Sequence, residues 1–138
     1  MINFKEKLSE DADVSVEAFE KFHIFLNKNL FGELPEGTIV ELNCAYTTLS
    51  YLNVRYVIRI PNQAVLSLIV LGFKSFTGGE RFIHTDFLRG DCAIVNNAIN
   101  KTLWGVHVFE GELQKYKGIL YNQIIPLCQK YKYQALQN

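Results

Sequence analysis

The chain has no CxxC pair, and its three cysteines, Cys44, Cys92 and Cys128, are widely spaced and odd in number. Structural zinc sites are built on closely spaced cysteine or histidine pairs, so no metal is expected. Net charge is missing too: 14 Lys and Arg balance 14 Asp and Glu. A general nucleic-acid binder carries a basic excess, so nucleic acid is not the expected ligand. The longest apolar run, AVLSLIVLGF (64–73), falls well short of the about 20 residues that a membrane-spanning helix needs. The opening MINFKEKLSEDAD has neither the apolar stretch nor the cleavage site of a signal peptide. The expected setting is the reducing cytoplasm, without a membrane.

Known catalytic frames are also scarce. TGGE (77–80) is too short for a phosphate-binding loop, which needs a longer glycine frame closing on Lys and Ser or Thr. GxGxxG, GxSxG and HExxH do not occur. No cofactor is expected.

What is present is ordinary for a folded chain. Its 138 residues suit one domain, taken as 1–138, with residues 1–12 expected to fray. A content of 49% hydrophobic and 20% charged residues argues against disorder. From Ser15 the apolar residues Val16, Phe19, Phe22 (or His23), Leu26 and Leu30 recur at three- and four-residue steps, which predicts a helix. Asp13 or Ser15 caps its start, and Gly32 and Pro35 end it. The period then changes to two. Val40, Leu42, Cys44 and Tyr46 are expected on one side of a first strand. Leu52, Val54, Tyr56, Ile58 and Ile60 form the buried side of a second. Tyr51, Asn53, Arg55, Val57 and Arg59 form its wet side.

PNQ (61–63) reads as a tight turn, and AVLSLIVLGF as a central strand apolar on both faces. A buried helix is the alternative for that run. RFIHTDFL (81–88) alternates again, RGD (89–91) breaks it, and CAIVNNAIN (92–100) is expected as a short helix capped by Asp91. LWGVHVF (103–109) is strand-like, and from Glu112 a long helix is expected, disturbed near Gln123–Pro126. The predicted fold class is α+β: one domain, mainly an antiparallel sheet of about five strands, with an N-terminal helix and a long C-terminal helix packed on it. Should both helices share one face, the second face of 64–73 needs a cover, and a homodimer would provide it.

One stretch concentrates reactive groups. In RFIHTDFLRGDC (81–92), His84 and Asp86 fall on one side of a regular strand, the minimum for an oriented general base. Cys92 becomes a nucleophile if His84 or His107 lowers its pKa. The plainer reading makes these exposed polar residues and a buried cysteine. His23, beside the helix's apolar stripe, is expected as a hydrogen-bonded core residue. The lysines and tyrosines of QKYKYQ (129–134) and KYK (115–117) are read as dipole-complementing charges and half-buried rings.

Three pieces resemble elements of GNAT-like folds, the toxin-activating lysine acyltransferases among them: NVRYVIRIPNQAVLSLIV (53–70), TGGERFIHTDFLRGD (77–91) and VFEGELQK (108–115). The resemblance implies a catalytic histidine and aspartate, for which this chain offers His23 and Asp86. The chain departs from that family around His23, lacks its Ala-Pro and leaves no room for an intervening helix, so membership is not assigned.

Two functions follow as expectations. The first is a small non-enzymatic protein-binding domain, of the type of a bacterial immunity or antitoxin protein that neutralises a toxin enzyme by covering it. Its partner-binding residues would be Tyr51, Arg55, Arg59 and Trp104, aromatic and arginine side chains of the kind favoured at interface hot spots. The second is a small transferase, GNAT-like or lysine acyltransferase-like, using His84, Asp86, Cys92 and His107.

Overall fold

The computed structural model describes residues 1–32, 34, 36–60, 65–77, 80–96, 101–111, 117–118 and 120–126, with side chains through Lys74 and again within 117–126. Helices pack on an antiparallel sheet, so the class is α+β as expected. Among the described residues no helix is long and apolar enough to cross a membrane.

The principal helix, α2, spans Val16–Asn29. Ser15 caps it, its hydroxyl accepting from the Ala18 amide at 3.0 Å. Glu17 in the first turn and Lys28 in the last oppose the helix dipole. Phe19, Phe22, His23 and Leu26 form the buried stripe, and Leu30 continues it. Val16, predicted at the head of that stripe, is instead exposed.

Three strands carry the core: β1 (Ile39–Thr47), β2 (Tyr51–Arg59) and β3 (Val65–Thr77). Gly37, at φ 83°, makes the left-handed turn into β1. β2 alternates as predicted, with Leu52, Val54, Tyr56 and Ile58 buried. Residues 65–77 are strand, which settles the choice for 64–73 against the helix. Leu66, Leu68 and Val70 face the same way as the buried residues of β2, opposite Ile58, Tyr56 and Val54. We call this the inner face. Phe19, Phe22, Leu26 and Leu30 of the α2 segment join it in one apolar cluster.

β1 departs from simple alternation. Leu42 pairs with Tyr56, but Cys44 pairs with Arg55, so Asn43 is an extra residue. Such a bulge flips the side chains beyond it. Ala45, not Cys44 or Tyr46, continues the buried side begun by Leu42. The prediction that all four of Val40, Leu42, Cys44 and Tyr46 share one side is thereby corrected.

The backbone of two more strands, β4 (Glu80–Asn96) and β5 (Lys101–Gly111), extends the sheet in the order β1-β2-β3-β4-β5. The RGD stretch does not end β4: Arg89, Gly90 and Asp91 pair with Leu71, Val70 and Ile69. Cys92–Asn96, expected to be helical, is strand as well. A ready ladder in β3 and the β-branched pair Ile94-Val95 outweigh the local cap. The turn PNQ, Gly78-Gly79 and 97–100 lie outside the described residues.

The N-terminal residues expected to fray carry a helical turn, α1 (Phe4–Lys7). Leu8 then bridges in parallel to Ala45, and the Ser9 amide donates to the Ala45 carbonyl at 2.8 Å. Burial of Leu8 and Val14 explains why this charged segment is held. Near the other end, the disturbance expected before Pro126 takes the form of a π-helical turn, Leu120–Ile124. Proline offers no amide proton to the carbonyl one turn back, and the ladder widens there. Tyr121 donates to the Leu30 carbonyl, and Ile125 enters the core. The rest of the long C-terminal helix predicted from Glu112, including QKYKYQ, lies outside the described residues.

Candidate functional site: the outer sheet face

Residues directly opposite one another in an antiparallel pair share a face, so cross-strand register reads off which positions lie together. The face away from the helices is built from three central rows. Tyr51 stands opposite Phe73, and Phe73 opposite His84. Tyr46, Asn53, Leu71, Arg89 and Glu110 form the next row. Cys44, Arg55, Ile69, Asp91 and His107 form the third. Val57 and Ser67, then Arg59 and Val65, continue it at the far end.

This face is mixed in character. Ile39, Phe73 and Tyr46 are 53%, 39% and 38% exposed, and Val57, Val65 and Ile69 are half-buried. Tyr51 and Phe73 meet edge to face with centroids 5.9 Å apart. Arg59 Nε lies 3.5 Å from Glu41 Oε1, a half-exposed pair. Arg55 is exposed and has no hydrogen-bond or ion-pair partner among the described residues. Asn53 is buried despite facing outward, because its side-chain amide closes the β1–β2 turn. It donates to the Tyr46 carbonyl and Thr48 Oγ1 at 3.3 Å and to the Tyr51 carbonyl at 3.4 Å.

The predicted binding residues therefore divide. Tyr51, Arg55 and Arg59 share the outer face. Trp104 belongs to the row Ile58–Leu66–Ile94–Trp104, whose members Ile58 and Leu66 are buried on the inner face.

The predicted catalytic residues also divide. Phe73 and Ile69, the β3 partners of His84 and Asp91, are four residues apart, roughly 13 Å along the strand. His107 sits opposite Asp91, and so at that far level. Cys92 pairs with Leu68 and Val106, one step on, in a row whose members Tyr56 and Leu68 are buried inside. Position 92 and position 107 thus fall on opposite faces. Asp86 lies in the irregular stretch between His84 and Leu88, which are the partners of the neighbours Phe73 and Gly72. Asp86 has no opposite number on β3, so the alternation that set it beside His84 is interrupted. The side chains of His84, Asp86, Cys92, Trp104 and His107 lie outside the described residues. Sequence reading missed Asp91 and Ile69 as members of this face. Only cross-strand register sets position 69 opposite Arg55 and position 91 one strand further on, and no local pattern announces either.

His23 is a core residue. Its Nδ1 is 2.8 Å from the Tyr56 hydroxyl, and its ring stacks on that of Tyr56 while Phe4 packs against it. Burial lowers its pKa below the usual 6.5 and raises that of Tyr56, so both are neutral in the fold. The partner implied by the acyltransferase resemblance, Asp86, lies near the Phe73 level, about 16 Å along β3 from the Leu68 level of Tyr56. Among the described residues no three His, Cys, Asp or Glu side chains gather as for a metal ion.

The neutral His23 has a consequence for acid stability. Below the usual histidine pKa the unfolded chain takes up a proton that the native state refuses. Stability therefore falls as pH drops from 7, until the lowered native pKa is passed. The expected slope from this group approaches about 1.4 kcal/mol per pH unit. A His23→Gln variant, measured beside the wild type by urea unfolding at pH 7 and 5, should lack that part of the slope.

Compared with known protein families, with curated proteins and with solved structures, the chain matches none.

Proposed function

We propose that this chain is a non-enzymatic protein-binding domain that docks a partner protein on its outer sheet face. The partner would be an enzyme whose active site the face covers, as bacterial immunity and antitoxin proteins do in the cytoplasm. In this reading all five strands act as one plank, backed by α2 and by a long helix beginning near Glu112.

One observation carries the proposal. Arg55 presents an exposed guanidinium that has no hydrogen-bond or ion-pair partner among the described residues, between Cys44 and Ile69 in register. A desolvated arginine ringed by apolar contacts is the usual anatomy of an interface hot spot. Arg59, by contrast, already has Glu41.

Titration calorimetry against the enzyme that co-purifies from the native host tests this. Arg55→Ala and Tyr51→Ala are each expected to weaken binding by about thirtyfold, and Arg59→Ala by much less. Equal affinity for all three variants would place the docking surface elsewhere.

A small transferase is the second reading. The observation that favours it is the register of His107 opposite Asp91, an imidazole position beside a carboxylate position. It requires a turnover that His107→Ala abolishes.

A further inference from the structure

We propose that residues 8–13 fill, as a built-in ligand, a site that takes a short acidic segment of a partner protein, with Lys74 as its anchor. The site lies at the rim of β1 and on the inner side of the sheet, away from the outer face, and stands independently of the reading of that face.

Leu8 is buried and bridges in parallel to Ala45 on the outermost strand, where the Ser9 amide donates to the Ala45 carbonyl at 2.8 Å. Adding a short stretch of chain to a sheet rim, with one side chain sunk in a socket, is a general mode of peptide recognition. A turn follows, closed by the Ala12 amide on the Ser9 carbonyl at 3.1 Å. The Asp13 amide then donates to Thr47 Oγ1 at 3.1 Å, and its carboxylate accepts from the Lys74 ammonium at 2.6 Å. A replacement therefore needs an aliphatic anchor in the place of Leu8 and a carboxylate in the place of Asp13.

Lys74 sets the preference for acid. Its side chain is 1% exposed and that of Asp13 47%. A buried ammonium is strongly unfavourable unless an opposite charge meets it. Lys74 stands on β3, yet its counter-charge comes from the opening segment of the chain and not from the sheet. With that segment lifted, the site presents an apolar socket, a bare carbonyl at Ala45, the Thr47 hydroxyl and an uncompensated ammonium. Such a set selects a carboxylate-bearing segment over a neutral or basic one.

The segment is also lightly held. Of residues 1–14 only Leu8 and Val14 are buried, whereas Leu52, Val54, Tyr56 and Ile58 of β2 are wholly enclosed. From α1, Phe4 rests against Phe19 and His23, each with centroids 5.4 Å apart. A recess of about 850 Å³ opens in the bend of the segment, and among the described residues only positions within 3–16 line it. Few buried apolar contacts mark the parts of a fold that open locally while the rest stays folded.

Hydrogen exchange of the wild type tests the opening. The Ser9 and Asp13 amides are expected to show protection factors about a hundredfold or more below those of the β2 core. Protection equal to that of β2 would mean that the segment leaves only on global unfolding, and overturns the proposal. A labelled peptide of residues 1–14, MINFKEKLSEDADV, then tests the site on the full chain. The variant Leu8→Ala/Asp13→Ala, whose own segment is loosened, should bind it in the micromolar range. The wild type should bind about a hundredfold more weakly, because its own segment competes. A peptide carrying Asp13→Asn should lose about thirtyfold on the loosened variant, and adding Lys74→Met to the protein should erase that difference. Circular dichroism confirms that each variant is folded; Asp13→Ala alone replaces the double variant if the latter is not. A folded, loosened variant that ignores the peptide overturns the proposal, as does equal affinity for the aspartate and asparagine peptides. A wild type that sediments as two chains and falls to one on adding the peptide would make the occupant the segment of a second copy, and overturns the assignment to a partner protein.

Discussion

Replacing Tyr56 with alanine is expected to lower the free energy of unfolding by about 4 kcal/mol. Tyr56 is fully buried in the middle of β2, and its ring is the meeting point of three elements. The ring of His23 from α2 lies nearly parallel to it, with centroids 5.7 Å apart, and Phe31 meets it edge to face at 4.8 Å. Leu42 and Leu68 stand beside it on the neighbouring strands. Truncation leaves a ring-sized cavity and also strands His23 Nδ1, which is buried 2.8 Å from the tyrosine hydroxyl. Two variants separate these effects. Tyr56→Phe keeps the ring and loses only the hydroxyl, and should cost about 1–2 kcal/mol, the price of a buried polar atom left without its partner. Urea unfolding with an unchanged m-value would confirm that both variants act on the native fold. Equal costs for Tyr56→Phe and Tyr56→Ala would contradict the packing described for this ring.

Removing Asp13 is expected to cost more than removing the lysine it holds. Lys74 Nζ lies 2.6 Å from Asp13 Oδ1; the lysine side chain is 1% exposed and the aspartate 47%. Alternation along β3 puts Lys74 on the inner face, beneath the N-terminal segment, and its own amide donates to the Ser50 carbonyl at 2.8 Å. Asp13→Ala would leave a buried ammonium without its counter-charge. That costs about 3 kcal/mol, toward the lower end for a broken buried pair because Asp13 itself is half in water. Lys74→Met fills similar volume with no charge, and Asp13 is already half in water, so its cost should stay under about 1.5 kcal/mol. Thermal melts of the two variants give the order directly. A larger loss for Lys74→Met would mean that the lysine contributes through something other than the ion pair.

Much of the fold is legible in the residues, and the reasons are local. α2 announces itself through the Ser15 cap and a repeated apolar step, and β2 through strict alternation, because a single helix face or strand face is enough to write each pattern. The brevity of the 64–73 run identified it as strand. What escaped depends on partners far away in the chain. The bulge at Asn43 shows only against β2, since it is the pairing of Leu42 with Tyr56 and Cys44 with Arg55 that exposes the extra residue. Asp91 looked like a helix cap because Asp before a mixed segment often is one, and only the β3 ladder draws Cys92–Asn96 into strand. The N-terminal segment looked free because its anchors, Leu8 and Val14, are too few to make a pattern. The candidate site suffered most from this. Arg55 and Arg59 were visible as a wet side of β2, whereas the row joining Arg55 to Ile69 and Asp91 is a property of register alone.

β1 is an outermost strand, and such strands offer a bare row of amides and carbonyls to any passing chain. Here the protein supplies its own guard. Leu8 lies alongside Ala45, and the Ser9 amide occupies the Ala45 carbonyl, just past the point where Asn43 bends the strand. A stranger seeking to lengthen the ladder by hydrogen bonding would meet a distorted and partly occupied rim, so growth into fibrils from this side is opposed by the opening residues of the chain itself.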